Sequence, residues 1–378
     1  MVWVDAGNFA AVGMPSAQVR TAGIIEGLNI MGYAGVMLGE RELAAGYEEF
    51  LKLREQAEFP FVSANFIFED DRSPLVDPWV VHTVGTGASS LRIGIIGLNR
   101  YNTAFLKATA AGRNIIVESP AKVARELVPK VAEETDLVVL LTSLSISQAR
   151  QLTAEVRGID VIIGANGGVQ SRLEDFASGV PIVYTGSEGK SLSEVRLTRS
   201  GDPAVSYKVK RSNHYLNRDY PQEPELQMLT QEVLSKENSI NRDLAVVEVE
   251  RPVIPDTVAT YIGSESCGSC HESALLAWLQ SSHATAFESL VTKEQDFNGE
   301  CVGCHSVGFG RKDGFVNAKA TPELIHVQCE ACHGPGSLHI KDTGTRYGAA
   351  GARSCIGCHD PENSPDFDFY IFWPRIRH

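Results

Sequence analysis

Two apolar patterns alternate along the first half of the chain. Short runs rich in branched residues, LRIGIIGLN (91–99), DLVVLLTSL (136–144), VIIGANGG (161–168) and PIVYTG (181–186), read as strands. Between them, ELAAGYEEFLKLREQAEF (42–59) and SISQARQLTAEVRG (145–158) read as helices, so the pattern implies an α/β fold. No internal repeat emerges, and the scattered glycines match neither the P-loop nor the dinucleotide fingerprint. After Gly201 a charged, Pro-containing stretch leads into PELQMLTQEVLSKENS (224–239), a predicted helix, and then NRDLAVVEVERPVIPD (241–256), which reads as a linker. The expected organisation is a first domain over 1–239, a linker over 240–258 and a second domain over 259–378.

Composition narrows the function classes. With 378 residues, 43% hydrophobic and 21% charged, the chain is long enough for two or three domains, each with its own core. A formal charge of −13 and the lack of any basic cluster argue against nucleic-acid binding, which depends on Lys/Arg neutralisation of phosphates. No apolar run approaches the roughly 18 residues of a membrane span, so the chain is not expected to cross a membrane. A charged-then-apolar secretory segment is not found before residue 20.

Cysteine placement is the sharpest signal. All eight cysteines follow residue 266, and each belongs to a Cys-x-x-Cys-His unit: Cys267/Cys270/His271, Cys301/Cys304/His305, Cys329/Cys332/His333 and Cys355/Cys358/His359. None is left over for a disulfide. Structural zinc is the rival reading, but zinc ribbons usually separate their knuckles by about 15 to 20 residues. Here the gaps are 30, 24 and 22. Zinc has no reason to demand histidine after every pair, and four such coincidences have a chance probability of roughly one in a million. Covalent c-type haem has that reason: two thiols form thioethers with the vinyl groups, and the next residue is the proximal imidazole. The expected cofactor set is four c-type haems, with iron held by His271, His305, His333 and His359.

Four more histidines in this region, His283, His326, His339 and His378, are candidate sixth ligands. An isolated histidine is usually an ordinary surface or core residue. Four haems in about 120 residues leave little protein to serve as a core, which favours ligation for most of them. Trp278, Tyr370, Phe372 and Trp373 are candidates to line the haems, although plain core packing is the more frequent role of aromatics.

From Tyr261 to His378 the chain resembles the tetrahaem cytochrome c-554 family, through YIGSESCGSCHESALLAWLQSSHATAF and VQCEACHGPGSLH. The resemblance implies that His339 returns to the first haem, held by His271, and that His283 serves the fourth, held by His359. The closing SPDFDFYIFWPRIRH resembles the tail of related multihaem proteins and makes His378 the candidate for the third haem, held by His333. In that family the second haem, here on His305, can lack a protein sixth ligand and be high-spin. This sequence departs by offering His326, whose reach to that iron stays open.

Residues 2 to 200 resemble the metallophosphoesterase domain of bacterial 5′-nucleotidases and UDP-sugar hydrolases, through VWVDAGNF, GYAGVMLGERELAAG, FVSANFIFED, LRIGIIGLN, DLVVLLTSLS and GIDVIIGANGG. Such enzymes hold two metals about 3.5 to 4 Å apart with carboxylate, Asn and His ligands. At the matching positions the bridging Asp is Asn8, the Asn-His pair is Glu40 and Arg41, the next His falls in Thr142-Ser143-Leu144, and the final His-x-His is Asn166-Gly167-Gly168. The family's opening Asp-x-His strand has no counterpart, so Met1 is expected to be a late start. Loss of the imidazole donors removes a di-metal centre. Glu40 and Glu42 offer a pair of carboxylates to a hard cation such as Ca²⁺, but carboxylates on a surface loop are usually just solvated.

The expected fold is an α/β metallophosphoesterase-like sandwich followed by a mostly helical, loop-rich multihaem cytochrome c domain. The expected function is electron carriage through four covalent haems, with an inactive phosphoesterase-like domain as scaffold or docking module. The alternatives are a redox enzyme acting on a small nitrogen oxide at a five-coordinate haem, and a repeating subunit of an extracellular cytochrome filament or other homo-oligomer. Haem attachment takes place outside the cytoplasmic membrane, so a periplasmic or extracellular location is expected. Residues 259–378 carry 9 Lys/Arg against 14 Asp/Glu, which favours redox partner proteins with a basic docking face.

Overall fold

The computed structural model describes the whole chain except residues 13–15, 88–89, 102–108, 111, 166–175, 187–188, 200–206, 218–219, 246–252, 345–346, 361–363 and 365. It divides into two compact units, Met1–Val233 and Leu234–His378. Asn166, Gly167 and Gly168 lie outside the described residues.

The first unit is built from strands whose alternate side chains face different neighbours. A parallel sheet orders Val4–Asp5, Gly35–Met37 and Phe61–Val62. A six-stranded sheet runs Phe176–Ala177, Val180–Tyr184, Val161–Gly164, Leu137–Thr142, Leu91–Leu98, Trp79–Val84, parallel through its four middle strands. Met37 and Val62 meet Ile93, Ile95, Leu137 and Leu141 in the layer between the sheets. Their neighbours Val36, Leu38 and Phe61 turn outward against Ile25 and Leu28 of helix Ala17–Met31 and Phe50 of helix Tyr47–Gln56. On the far side, Ile96, Leu98, Leu140 and Ile162 pack on Val128 and Val131 of helix Pro120–Glu134 and Leu152 of helix Ile146–Glu155. The layers are therefore helix, sheet, sheet, helix. Gly97 permits the sheets to approach, because a Cβ there would stand 2.3 Å from the Val62 carbonyl oxygen. Helix Ile146–Glu155 starts with a reciprocal capping box between Ser145 and Gln148, as its Ser-x-x-Gln sequence allows.

The predicted helix at 224 continues further than its sequence pattern implied. It spans Pro224–Ala245, six residues past Ser239 and into the expected linker. The reason is packing within the second unit: the Asn238 amide donates to the Glu294 carbonyl and Arg242 lies over the Phe297 ring at 5.5 Å.

The second unit is a set of short helices, among them Ser264–Gly268, Glu272–Leu279, Ala286–Thr292, Gly299–His305, Cys329–His333, Ser337–Lys341 and Ala352–Ile356. Among the described residues its buried apolar cluster comprises Phe287, Leu290, Val302, Val307, Phe315 and Leu324. Helix Glu272–Leu279, ESALLAWL, has no buried residue, and Leu276 and Leu279 are exposed.

Candidate functional site

Each Cys-x-x-Cys-His unit forms about one helical turn, which sets two thiols three residues apart on one face and the imidazole just beyond. The turn is closed by His271 N–H donating to the Cys267 carbonyl at 3.0 Å and His359 N–H to the Cys355 carbonyl at 2.9 Å. All eight cysteines are free of disulfides.

Three pairs of imidazoles face each other: His271 and His339 with ring centres 6.4 Å apart, His283 and His359 at 6.0 Å, and His333 and His378 at 6.0 Å. These are the pairs that the family resemblance implied. A metal–imidazole bond is about 2 Å and the ring centre lies about 1.1 Å behind the nitrogen, so two trans imidazoles on one metal have centres about 6.3 Å apart. The spacing fits one iron between each pair.

Tautomers are set by backbone acceptors. His305 Nδ1–H donates to the Ala286 carbonyl at 2.7 Å, His333 Nδ1–H to the Gly348 carbonyl at 2.7 Å, and His378 Nδ1–H to the Ile376 carbonyl at 3.1 Å. A carbonyl only accepts, so the proton sits on Nδ1 and Nε2 keeps its lone pair for a metal. His359 Nδ1 is 2.9 Å from the Ser364 hydroxyl. Burial, and then the charge of His359, lowers the pKa of His283, while burial lowers that of His359, which favours the neutral ligand form. Among the described residues the Nδ1 of His339 is buried without a hydrogen-bond partner, and its ring stacks on Tyr347 at 4.8 Å and 10°.

His326 is placed differently. Among the described residues neither it nor His305 faces another imidazole. Its Nδ1 accepts from Phe287 N–H at 3.2 Å, so its neutral ring carries the proton on Nε2. Burial lowers its pKa, opposed by the charge of Glu288. Its φ of 69° is left-handed, a conformation costing a non-glycine residue about 1–3 kcal/mol.

Two residues missed from the sequence hold this arrangement together. Glu330, inside the third Cys-x-x-Cys, is buried and accepts from Ile262 N–H at 2.9 Å, Gly263 N–H at 2.8 Å and Gly336 N–H at 2.7 Å. It thereby ties the segment before the first Cys-x-x-Cys-His unit to the turn that leads into the helix carrying His339. Tyr347 donates its hydroxyl to the Gly334 carbonyl, and burial pushes its phenol well above the ordinary range. A glutamate between two cysteines and a tyrosine in YGAAGARSC give no pattern signal. Only the glycines of Gly334-Pro335-Gly336, the first at φ 83°, marked the turn. Of the predicted lining aromatics, Trp278 donates its indole N–H to the Val327 carbonyl at 2.7 Å, Trp373 stacks on Phe369, Phe372 packs near Phe367, and Tyr370 is exposed.

The thiols of neighbouring units also approach one another. Cys267 and Cys329 lie within hydrogen-bonding reach, as do Cys304 and Cys358, and Cys332 feels the charge of Cys355. Facing imidazoles, bare Nε2 atoms, thiols outside any disulfide, the orphaned Nδ1 of His339 and the uncovered apolar helix Glu272–Leu279 together fit flat apolar haems tethered at the cysteines.

In the first unit, the described positions expected to have lost metal ligands lie at or just past the C-terminal ends of the strands. Asn8, at φ 64°, accepts Arg41 N–H on its side-chain oxygen at 3.1 Å. Glu42 is not on a surface loop as expected: it is buried, and its oxygens accept N–H groups from Asn8, Ala10 and Gly39 at 3.0, 3.0 and 2.8 Å. Those bonds fold the loops after two strands around it and turn its lone pairs away from a cation. Glu40 pairs with Arg100 at 3.7 Å. Thr142 donates to the Leu98 carbonyl at 2.6 Å, Ser143 accepts Arg100 N–H at 2.9 Å, and the Asn99 amide donates to the Leu38 carbonyl at 2.9 Å. Neutral side chains thus join adjacent strand ends. Among the described residues, no group of three or more His, Cys, Asp or Glu is able to hold a metal ion.

Residues 266–334 match the family model "Cytochrome c554 and c-prime". Over 93 residues the chain is 40% identical to cytochrome c-554 of Nitrosomonas europaea, covering 21% of this chain and 40% of that protein. Over 221 residues it is 26% identical to a 2′,3′-cyclic-nucleotide 2′-phosphodiesterase/3′-nucleotidase of Salmonella typhimurium, covering 51% of this chain and 34% of that one. The chain thus spans less than half the length of each of these two relatives. The solved structure of a 5′-nucleotidase precursor from Thermus thermophilus superposes with a TM-score of 0.51 at 17% identity, covering 72% of this chain and 58% of that one. The C-terminal region therefore contains a cytochrome c554 domain, a family whose cofactor is c-type haem, and the N-terminal region has the 5′-nucleotidase-type phosphoesterase fold.

Proposed function

We propose that the protein is a tetrahaem c-type cytochrome carrying electrons, with a catalytically inactive phosphoesterase-like domain as scaffold or docking module. The observation that carries this reading is the set of three imidazole pairs at 6.0 to 6.4 Å, a separation at which the two rings of each pair would hold one iron. Haem supplies one-electron iron chemistry when bound. The chain's own residues supply the tethers and the ligands. Cys267 and Cys270, Cys301 and Cys304, Cys329 and Cys332, and Cys355 and Cys358 attach the four groups. His271 with His339, His333 with His378, and His359 with His283 hold three irons, while His305 holds the fourth on one side. The carbonyls of Ala286, Gly348 and Ile376 keep protons on Nδ1 and so keep Nε2 available as donor.

Haem attachment places the working protein outside the cytoplasmic membrane, periplasmic or extracellular. No helix among the described residues is long and apolar enough to span a membrane. The acidic balance of the haem region favours a redox partner with a basic face.

A second reading rests on His305, which has no facing imidazole among the described residues. An open position there would admit a small ligand such as a nitrogen oxide, and turn a carrier into an enzyme. Intact mass and low-temperature EPR of the oxidised protein test both readings. Four covalent haems, three low-spin and one high-spin, are expected; fewer than four haems, or haem extractable by acid acetone, would sink the proposal.

A further inference from the structure

His326 sits opposite His305 across a single peptide group. The Ala286 carbonyl accepts His305 Nδ1–H at 2.7 Å, and the N–H of the same peptide, on Phe287, donates to His326 Nδ1 at 3.2 Å. Hydrogen bonds in series polarise one another, so an acceptor on the N–H strengthens the carbonyl as an acceptor, and a stronger carbonyl makes His305 Nε2 a better donor to a metal. The local backbone is arranged to maintain this. His326 is held left-handed at φ 69°, the next residue, Val327, donates its N–H to the His283 carbonyl at 3.2 Å, and the Trp278 indole donates to the Val327 carbonyl at 2.7 Å. A backbone bridge between Ser306 and Ile325 fixes the strap from its other side. The strap 325–327 therefore clamps the segment that bears both His283 and the carbonyl partner of His305.

We infer that His326 is a positioning residue for the haem on His305, acting through the 286–287 peptide on its proximal ligand, and is not an iron ligand itself. The inference rests on the reading that His305 holds a haem, and it assigns to His326 a role opposite to that of the other three non-motif histidines. His326 Nε2 carries the proton and so has no lone pair to offer iron, whereas His378 carries its proton on Nδ1 and leaves Nε2 bare.

The test uses the full chain, wild type against His326→Ala and His326→Asn. Asparagine keeps an oxygen acceptor near the Nδ1 position and tolerates left-handed backbone. With four covalent haems retained, His326→Ala is expected to leave the EPR spin-state count unchanged, to move the iron–histidine stretch of the ferrous five-coordinate haem to lower frequency, and to raise that haem's midpoint potential. His326→Asn is expected to restore both. An unchanged stretch and potential in His326→Ala would overturn the relay while leaving the four-haem reading intact. A low-spin signal that His326→Ala converts to high-spin would make His326 a sixth ligand, overturning the relay and the open position together. A haem count below four in the wild type would instead remove the reading on which both depend. Should His326→Ala attach haem incompletely, His326→Leu, which keeps apolar volume without an acceptor, is read in the same way.

Discussion

Among the described residues, the unit Met1–Val233 keeps three apolar clusters and has the neutral Asn8, Thr142 and Ser143 at its strand ends, whereas Leu234–His378 keeps eight histidines and eight cysteines around one cluster of six buried side chains. In the first unit branched side chains on both faces of the strands carry the packing, and Asn8, Thr142 and Ser143 only join strand ends. In the second, the chemistry is the architecture: helices of five to eight residues are too short to persist alone and need something flat and apolar to pack on. Side chains that only join strand ends can change at little cost to such a fold. A site that supplies the core cannot be lost without losing the fold.

The largest expected effect follows from that contrast. Protein made without haem attachment should lose structure throughout residues 259–378 while the first unit still unfolds cooperatively. Hydrogen exchange resolved by segment checks this: protection must vanish around Phe287, Leu290 and Phe315 and persist around Ile95, Leu140 and Ile162. Equal protection in both units would show that six buried side chains suffice and that haem is only a passenger.

Next comes Glu330→Ala, which orphans three backbone donors at about 1–3 kcal/mol each. The loss should be concentrated where those donors sit, at Ile262, Gly263 and Gly336. Low-spin character at the haem of His271 should weaken with it, because the turn before the helix carrying His339 is released; calorimetry and EPR read the two effects separately. In the first unit, Leu140→Ala should cost about 2–5 kcal/mol, as for other fully buried leucines, and leave every haem potential where it was. A potential that moves would mean that the two regions are energetically coupled.

The α/β layering was legible in the sequence because strand runs such as DLVVLLTSL and the helix SISQARQLTAEVRG carry strong local patterns. So were the four Cys-x-x-Cys-His units, because their spacing is local. Which histidine faces which was carried by resemblance alone, since pairing across up to 76 residues, His283 with His359, leaves no local trace. Burial of Glu42 was invisible for a physical reason: a carboxylate satisfied by three backbone N–H groups looks, in sequence, like any acidic loop residue. Glu330 escaped for the same reason. The helix Pro224–Ala245 outran its predicted end because Asn238 and Arg242 find tertiary partners that override a polar, charged stretch.

A smaller effect concerns Asp5. Burial, partly offset by the Gly7 N–H and reinforced by the charge of Glu42, raises its carboxyl from the usual 3.8 to about 6. Between about pH 4 and 6 the folded state therefore binds a proton that the unfolded chain has released, so stability falls as pH rises through that window and levels off above it. The full swing is at most about 3 kcal/mol. Asp5→Asn keeps the oxygen that accepts Gly7 N–H and removes the charge, so it should flatten this slope and stabilise the protein above pH 6. A slope that survives in Asp5→Asn belongs to another group, with buried Glu42 next to be tried, its carboxyl also raised by burial.

The smallest expected effect is none at all, and it bears most directly on the comparison. Added Mn²⁺, Co²⁺ or Zn²⁺ should neither shift the unfolding temperature of the first unit nor produce hydrolysis of nucleotides or UDP-sugars. Asn8 offers an amide already accepting from Arg41, Glu42 is saturated by backbone donors, and Thr142 is committed to the Leu98 carbonyl. Oxygens already engaged in this way bind a divalent cation weakly, and among the described residues no imidazole stands with them to make up the difference. Arg41 and Arg100 add positive charge on the same loops, with Arg100 engaging Glu40. Restoring a single ligand by Asn8→Asp should therefore still give no turnover, because one carboxylate does not make a two-metal clamp. Metal-dependent hydrolysis by the unaltered protein that disappears in Glu40→Ala would mean that the strand ends still hold a working centre. The contrast between a fold without its site and a site that makes its fold would then fail on its first side.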